Sequence, residues 1–195
     1  MNGSKNWPRP GALSPGVIGV DANGDNLDEA SRRALKKPSR GGLPNVLFGR
    51  LALEDAPGAL AACADRLTVL LPWGSLLAAV ARPDSNALAR LAAVCRDGAD
   101  LRIIFGYGYE SDPATAALNL RPLDEPQVLD HLRHAYRQAS LVVSARPVST
   151  DEIAALPTTW AKKLAYSGKR RVFIEIVGRR QIASQHVPAN ARLAL

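Results

Sequence analysis

Two segments of this chain set a tryptophan where it could meet a nucleobase: LPWGS at Leu71–Ser75, and LPTTWAKKLAYSGKRR at Leu156–Arg171, whose tryptophan is followed by a dense basic run. Both read as loops. Two aromatic faces beside fixed positive charge suit a purine swung out of an RNA helix, because base stacking is worth roughly 1–3 kcal/mol for any base. Upstream, Asp21 and Glu54 each close an apolar run. At the C-terminal ends of sheet strands, where ligands of α/β folds bind, one carboxylate can accept the hydroxyls of a ribose and the other can meet an adenine edge. Together these residues point to RNA methylation. Taken singly they have plainer readings: acids that merely follow strands, and core tryptophans in proline-flanked loops.

The charge distribution narrows the choice. The chain of 195 residues has a formal charge of +7, and 12 of its 25 lysines and arginines fall in two windows. Residues 31–40, SRRALKKPSR, hold Arg32, Arg33, Lys36, Lys37 and Arg40 with no acid. Residues 162–180 hold Lys162, Lys163, Lys169, Arg170, Arg171, Arg179 and Arg180 against Glu175. Clustering of this kind is the footprint of a nucleic-acid binder, although a solvated helix face and a basic tail would share it.

Other classes are disfavoured. No apolar run approaches the roughly 20 residues of a membrane span, and the first residues lack the apolar centre of a signal peptide, so a cytoplasmic protein without membrane contact is expected. Cys63 and Cys95 lie in alanine-rich patterns without CxxC spacing and read as buried free thiols. His131 and His134 have no partner at ligand spacing and read as solvated, so no metal is expected.

The elements that must position these residues alternate. Val17–Val20 is a short strand, and Asp25 can cap a helix that places Leu27, Ala30, Ala34 and Leu35 on one face. A KKPSRGG turn leads to a strand from Asn45 that closes near Glu54, and RLTVLL at Arg66–Leu71 gives a third, followed by a helix through Ala81. Asn86–Cys95 reads as a helix, Leu101–Phe105 as a strand, residues 107–124 as a loop, Glu125–Ala139 as a helix and Leu141–Ser144 as a strand. Val172–Val177 reads most simply as an antiparallel edge strand beside its predecessor. The pattern predicts an α/β fold with a mostly parallel sheet covered by helices on both faces. Proline-punctuated residues 1–16 are expected to be irregular, 17–178 to form one domain, and 179–195 a basic tail.

The stretches IGVDANGDNL, KKPSRGGLPNVLF, LALEDAP, LTVLLPWGSLL and TTWAKKLAYSGKRR carry a resemblance. From about Val17 to Gly178 the chain resembles the aminoglycoside-resistance family of 16S rRNA adenine-N1 methyltransferases, which modify an adenine of the ribosomal decoding site. The resemblance implies a Rossmann-like domain that binds S-adenosylmethionine (SAM), with Asp21 on the cofactor ribose, Glu54 near its adenine, and Pro72 and Trp73 beside it. It implies that Trp73 and Trp160 sandwich the flipped adenine across a gap one purine wide, with Ser75 and Thr158 lining the site. It also implies that Lys36, Lys37, Arg40, Lys162, Lys163, Lys169 and Arg170 meet rRNA phosphates on one side of a monomer docked on the small ribosomal subunit. In one respect the sequence departs from the family, whose members begin with a strand and a DxGTGDG turn. Residues 1–16 contain Gly3, Gly11 and Gly16 but no such turn. The chain is therefore expected to enter the fold at what is normally the second strand, with weakened SAM binding; the alternative to an active enzyme is a catalytically impaired, methyltransferase-like rRNA-binding protein.

Overall fold

A computed structural model describes residues 16–56, 58–108 and 117–182. The irregular segment expected over 1–16 (Gly16 aside), the middle of the 107–124 loop and the tail past residue 182 lie outside the described residues. The chain divides into two compact units, one ending at Ala56 and the other beginning at Pro57.

The first unit is one β-α-β turn of chain. Strand β1 (Val17–Asp21) leads into helix α1 (Asp25–Ala34) and returns to strand β2 (Val46–Arg50), which pairs parallel to β1. Gly24, not Asp25, occupies the cap position of α1. Asp25 and Asp28 instead occupy its first turn, and Arg32 and Arg33 its last, each sign complementing the helix dipole. The KKPSRGG segment folds as a 3-10 turn over Pro38–Arg40. Glycine is required at position 42, where a Cβ would stand 1.5 Å from the Lys36 carbonyl oxygen.

The second unit is built on a four-stranded sheet of order β3-β4-β6-β5, from β3 (Ala64–Leu70), β4 (Cys95–Tyr107), β5 (Leu141–Val148) and β6 (Val172–Arg180). β3 and β4 are parallel, while β6 runs antiparallel to both β4 and β5. The last strand is thus not the edge: it inserts between β4 and β5, and β5 takes the outer place. Helices α2 (Gly74–Ala81), α3 (Ser85–Val94) and α4 (Val128–Gln138) bury Leu77, Leu88, Leu91, Leu132 and Tyr136. The apolar alternation of β4 and β6 supplies their counterpart in Leu101, Ile103, Phe105, Ile174 and Ile176.

The other face of this sheet is covered at one end by two short helices, α5 (Thr150–Ala154) and α6 (Thr159–Ala165). Their Ile153, Leu156, Ala161 and Leu164 form one buried cluster with Leu71, Ile104 and Phe173. α5 is held by a reciprocal capping box between Ser149 and Glu152. The Ser149 backbone N–H, together with Arg146, keeps the Glu152 carboxyl below the ordinary range, so this cap persists above that range and is lost as pH falls through the lowered value. Away from the helices the same face carries exposed Arg66, Thr68, Arg102, Arg146 and Arg179.

Two expectations change at this level. Cys63 is exposed rather than buried, because it stands in the turn before β3; Cys95 is buried but opens β4 instead of ending a helix, and burial raises its thiol pKa. His131 and His134 are exposed on α4 as expected, and no cluster of metal-ligating side chains occurs among the described residues.

Glu175 is the buried acid of the sheet, its oxygens 2.8 Å from an Arg102 nitrogen and 2.5 Å from one of Arg146. Removing it takes the carboxylate partner from Arg102 and leaves Arg146 paired with Glu152 alone. Glu175→Ala is expected to cost about 1–3 kcal/mol in urea denaturation. Arg179→Ala, which breaks an exposed pair with Asp100, is expected to cost under about 1 kcal/mol. Equal losses would contradict a central role for Glu175.

Candidate nucleobase site

The turn after β3 is set by a backbone few leucines adopt. Leu71 donates its N–H to the Ile104 carbonyl at 2.7 Å, extending the ladder, and then takes φ +50 while its side chain is buried. A left-handed conformation costs a non-glycine residue roughly 1–2 kcal/mol, which the burial of a leucine, about 1.5–3 kcal/mol, offsets. Pro72 fixes the next φ, Trp73 is extended as the N-cap of α2, and Gly74 at φ +58 supplies the second left-handed step. The outcome is an indole 39% exposed at the mouth of the sheet.

The second tryptophan lies in a helix rather than a loop. Thr158 caps α6, its hydroxyl oxygen accepting from the Ala161 N–H at 3.0 Å, and Trp160 follows in the first turn. This Thr-first pattern after a Leu-Pro break was the available signal for the helix. Trp160 is 40% exposed, and its ring centroid is 5.6 Å from that of Trp73, with the planes tilted by 57°.

The two rings thus share one mouth and touch, at a separation usual for aromatic pairs. They do not stand apart with room for a purine. A base stacked between parallel rings needs about 7 Å from plane to plane, two van der Waals contacts in series. Admitting one therefore requires the rings to part and to turn face to face. Ser75 is exposed two residues from Trp73, and Pro72 is half-buried. The Thr158 oxygen, expected to line the site, is engaged in capping α6.

Lys162 and Lys163 are exposed on α6, and Lys169 and Arg170 on the turn that follows. The basic window of 162–180 does not act as one patch. Arg179 and Arg180 end a nine-residue strand, about 25 Å from its start, where Arg179 pairs with Asp100 and Arg180 donates to the Cys95 carbonyl.

In the first unit, Asp21 and Glu54 lie at the same end of the parallel pair. Asp21 terminates β1, one oxygen accepting from the Asn23 N–H at 2.8 Å and the other from the Asn26 side-chain amide at 3.2 Å. A carboxylate has about four acceptor sites, so two hydroxyls of a ribose still fit. Glu54 is exposed on the 3-10 turn Leu53–Asp55 just past β2. Lys36, Lys37 and Arg40 are exposed on the turn after α1.

Acids ending parallel strands and an aromatic turn after β3 are features of a Rossmann-like methyltransferase, and solved structures similar to this chain are of that class. KamB, a 16S rRNA methyltransferase, has a TM-score of 0.73 at 30% identity, over 87% of this chain and 78% of its own. A variant of the 16S rRNA (adenine(1408)-N(1))-methyltransferase of Catenulisporales acidiphilia, solved with SAM, has a TM-score of 0.71 at 26% identity, over 91% of this chain and 77% of its own. The relative of the same designation from Streptoalloteichus hindustanus is 31% identical over 165 residues, 84% of this chain and 75% of the relative. The family model described as NpmA, 16S rRNA (adenine(1408)-N(1))-methyltransferase, matches residues 9–178. The chain belongs to this family.

If the Thr158 hydroxyl serves as the cap, Thr158→Ala should cost about 1 kcal/mol in urea denaturation while Thr158→Ser costs little. Indistinguishable midpoints for the two variants would contradict that assignment.

Proposed function

We propose that this protein transfers the methyl group of SAM to N1 of an adenine flipped out of the decoding-site helix of small-subunit rRNA, with Trp73 and Trp160 holding the base, and that this confers aminoglycoside resistance. The observation that carries the reading is the meeting of the two indoles at one mouth of the sheet, 5.6 Å apart and each about two-fifths exposed. A core role would bury them, and a purely structural pair gains nothing from being left in solvent beside Lys162 and Lys163. SAM, when bound, supplies an electrophilic methyl on a sulfonium.

The protein has little proton chemistry to perform. Adenine N1 carries an available lone pair in its neutral form, so attack on the methyl needs no general base. The product base is cationic. Orientation of the reactants is worth several kcal/mol, and indole faces favour the developing positive charge by about 1–2 kcal/mol where water is excluded. Asp21 is suited to the cofactor ribose, and Glu54 to an adenine edge. Lys36, Lys37 and Arg40 in one unit, and Lys162, Lys163, Lys169 and Arg170 in the other, are suited to rRNA phosphates, which is the charge expected of a chain that works on the small ribosomal subunit.

The test is methyl transfer from labelled SAM to purified small subunits. Trp73→Ala and Trp160→Ala should each lower turnover by about 10- to 100-fold, the equivalent of a lost stacking contact. Their melting temperatures should stay close to that of the wild type, because both rings are half-exposed. Turnover retained in both variants, or lost only in step with unfolding, would remove the base-holding role.

A further inference from the structure

Leu71 is distinctive among the described residues. Among the described residues four that are not glycine have positive φ: Ala62, Leu71, Asn119 and Ser140. Ala62 and Asn119 are exposed and Ser140 is half-exposed; Leu71 is the buried one of the four. A left-handed backbone at a bulky residue persists where its surroundings over-determine it, and such residues gather at functional sites.

The surroundings of Leu71 are what connect it to the site. Its N–H is bound to Ile104, and its side chain sits in the same buried cluster as Leu156, Ala161 and Leu164, which flank Trp160 in sequence. Between Leu71 and Trp73 stands only Pro72, whose φ is fixed by its ring. The chain thus has little freedom between a leucine locked in the core and the indole it presents. On the other side, Trp160 is one residue from Ala161, fully buried in that cluster.

We infer that Leu71 is a positioning residue for the nucleobase site: wedged between the β3 turn and the α6 helix, it sets the distance and tilt between the Trp73 and Trp160 rings. This deepens the reading under Proposed function and rests on it for its link to turnover, though not for its link to ring geometry. A leucine that merely fills the core would lower stability when truncated and leave the ring pair alone. A positioning leucine sets the ring pair independently of global stability.

Two coupled indoles produce an exciton couplet in circular dichroism, and this reads the pair directly without substrate. In the full chain the couplet is expected to be present, and to vanish in Trp73→Phe and in Trp160→Phe. Leu71→Ala should weaken it by about half or more while a cooperative melt is retained. With SAM and small subunits, Leu71→Ala should lower kcat by roughly tenfold, as small misplacement of a reactant does, with KM for the subunit little changed because the lysines that dock it are untouched. Should Leu71→Ala fail to fold, Leu71→Met, which keeps the volume on a flexible unbranched chain, is read in the same way, with a weakened couplet and lowered kcat expected. A couplet and kcat of wild-type size in a folded Leu71 variant would overturn the inference. Full turnover in Trp73→Ala would instead refute the base-holding reading and leave the couplet result standing.

Discussion

The antiparallel insertion of β6 beside β4 is the constraint from which the site follows. Tyr107, the last residue of β4, pairs with Val172, the first of β6. Whatever precedes β6 must therefore lie at the C-terminal end of β4, and the parallel pairing of β3 with β4 brings the turn after β3 to that same end. Trp73 and Trp160 are far apart in sequence, yet the topology leaves them nowhere to be but together. A parallel β6 would have carried the Trp160 segment to the opposite end of the sheet. The same constraint separates Arg179 and Arg180, at the far end of β6, from Lys162 and Lys163 on the helix that carries Trp160.

Packing then converts topology into geometry. Leu71, Ile104 and Phe173 from the sheet meet Ile153, Leu156, Ala161 and Leu164 from α5 and α6, and the two tryptophans emerge from the margins of this one cluster. In the ring-to-ring contact each indole covers part of the other from water. On the proposed base-holding role, a base entering between the rings would exchange that one contact for two of its own.

Much of this was legible in the sequence. The six strands and the longer helices follow from apolar periodicity, and the Leu-Pro-Trp-Gly-Ser turn from its proline and glycine. The order of the last two strands was not legible, because alternation reveals that Val172–Arg180 is a strand but not which neighbours it pairs with. The burial of its Phe173, Ile174, Glu175 and Ile176 in succession, a run apolar on both faces save for the acid, was the sign of a central strand. α5 and α6 escaped because each is under eight residues and lacks a full amphipathic period, though Ser149 and Glu152 stand at capping-box spacing. Cys63 was misplaced since an alanine-rich run reads as helix, whereas here it forms turns. Asp21 and Glu54 came to the same end of their strand pair because parallel strands align their C-terminal ends, and that much the βαβ pattern dictates.

The central claim is that the two indoles present N1 of a neutral adenine to a methyl donor with no base to assist. The identity of the methylated nucleoside tests it most directly. Small-subunit rRNA treated with the protein and SAM should be digested to nucleosides and analysed by mass spectrometry against synthetic standards. The account predicts 1-methyladenosine at the decoding site and no other new methylated base. Methylation of the exocyclic amine, whose product must shed a proton, or of a base other than adenine, would contradict it.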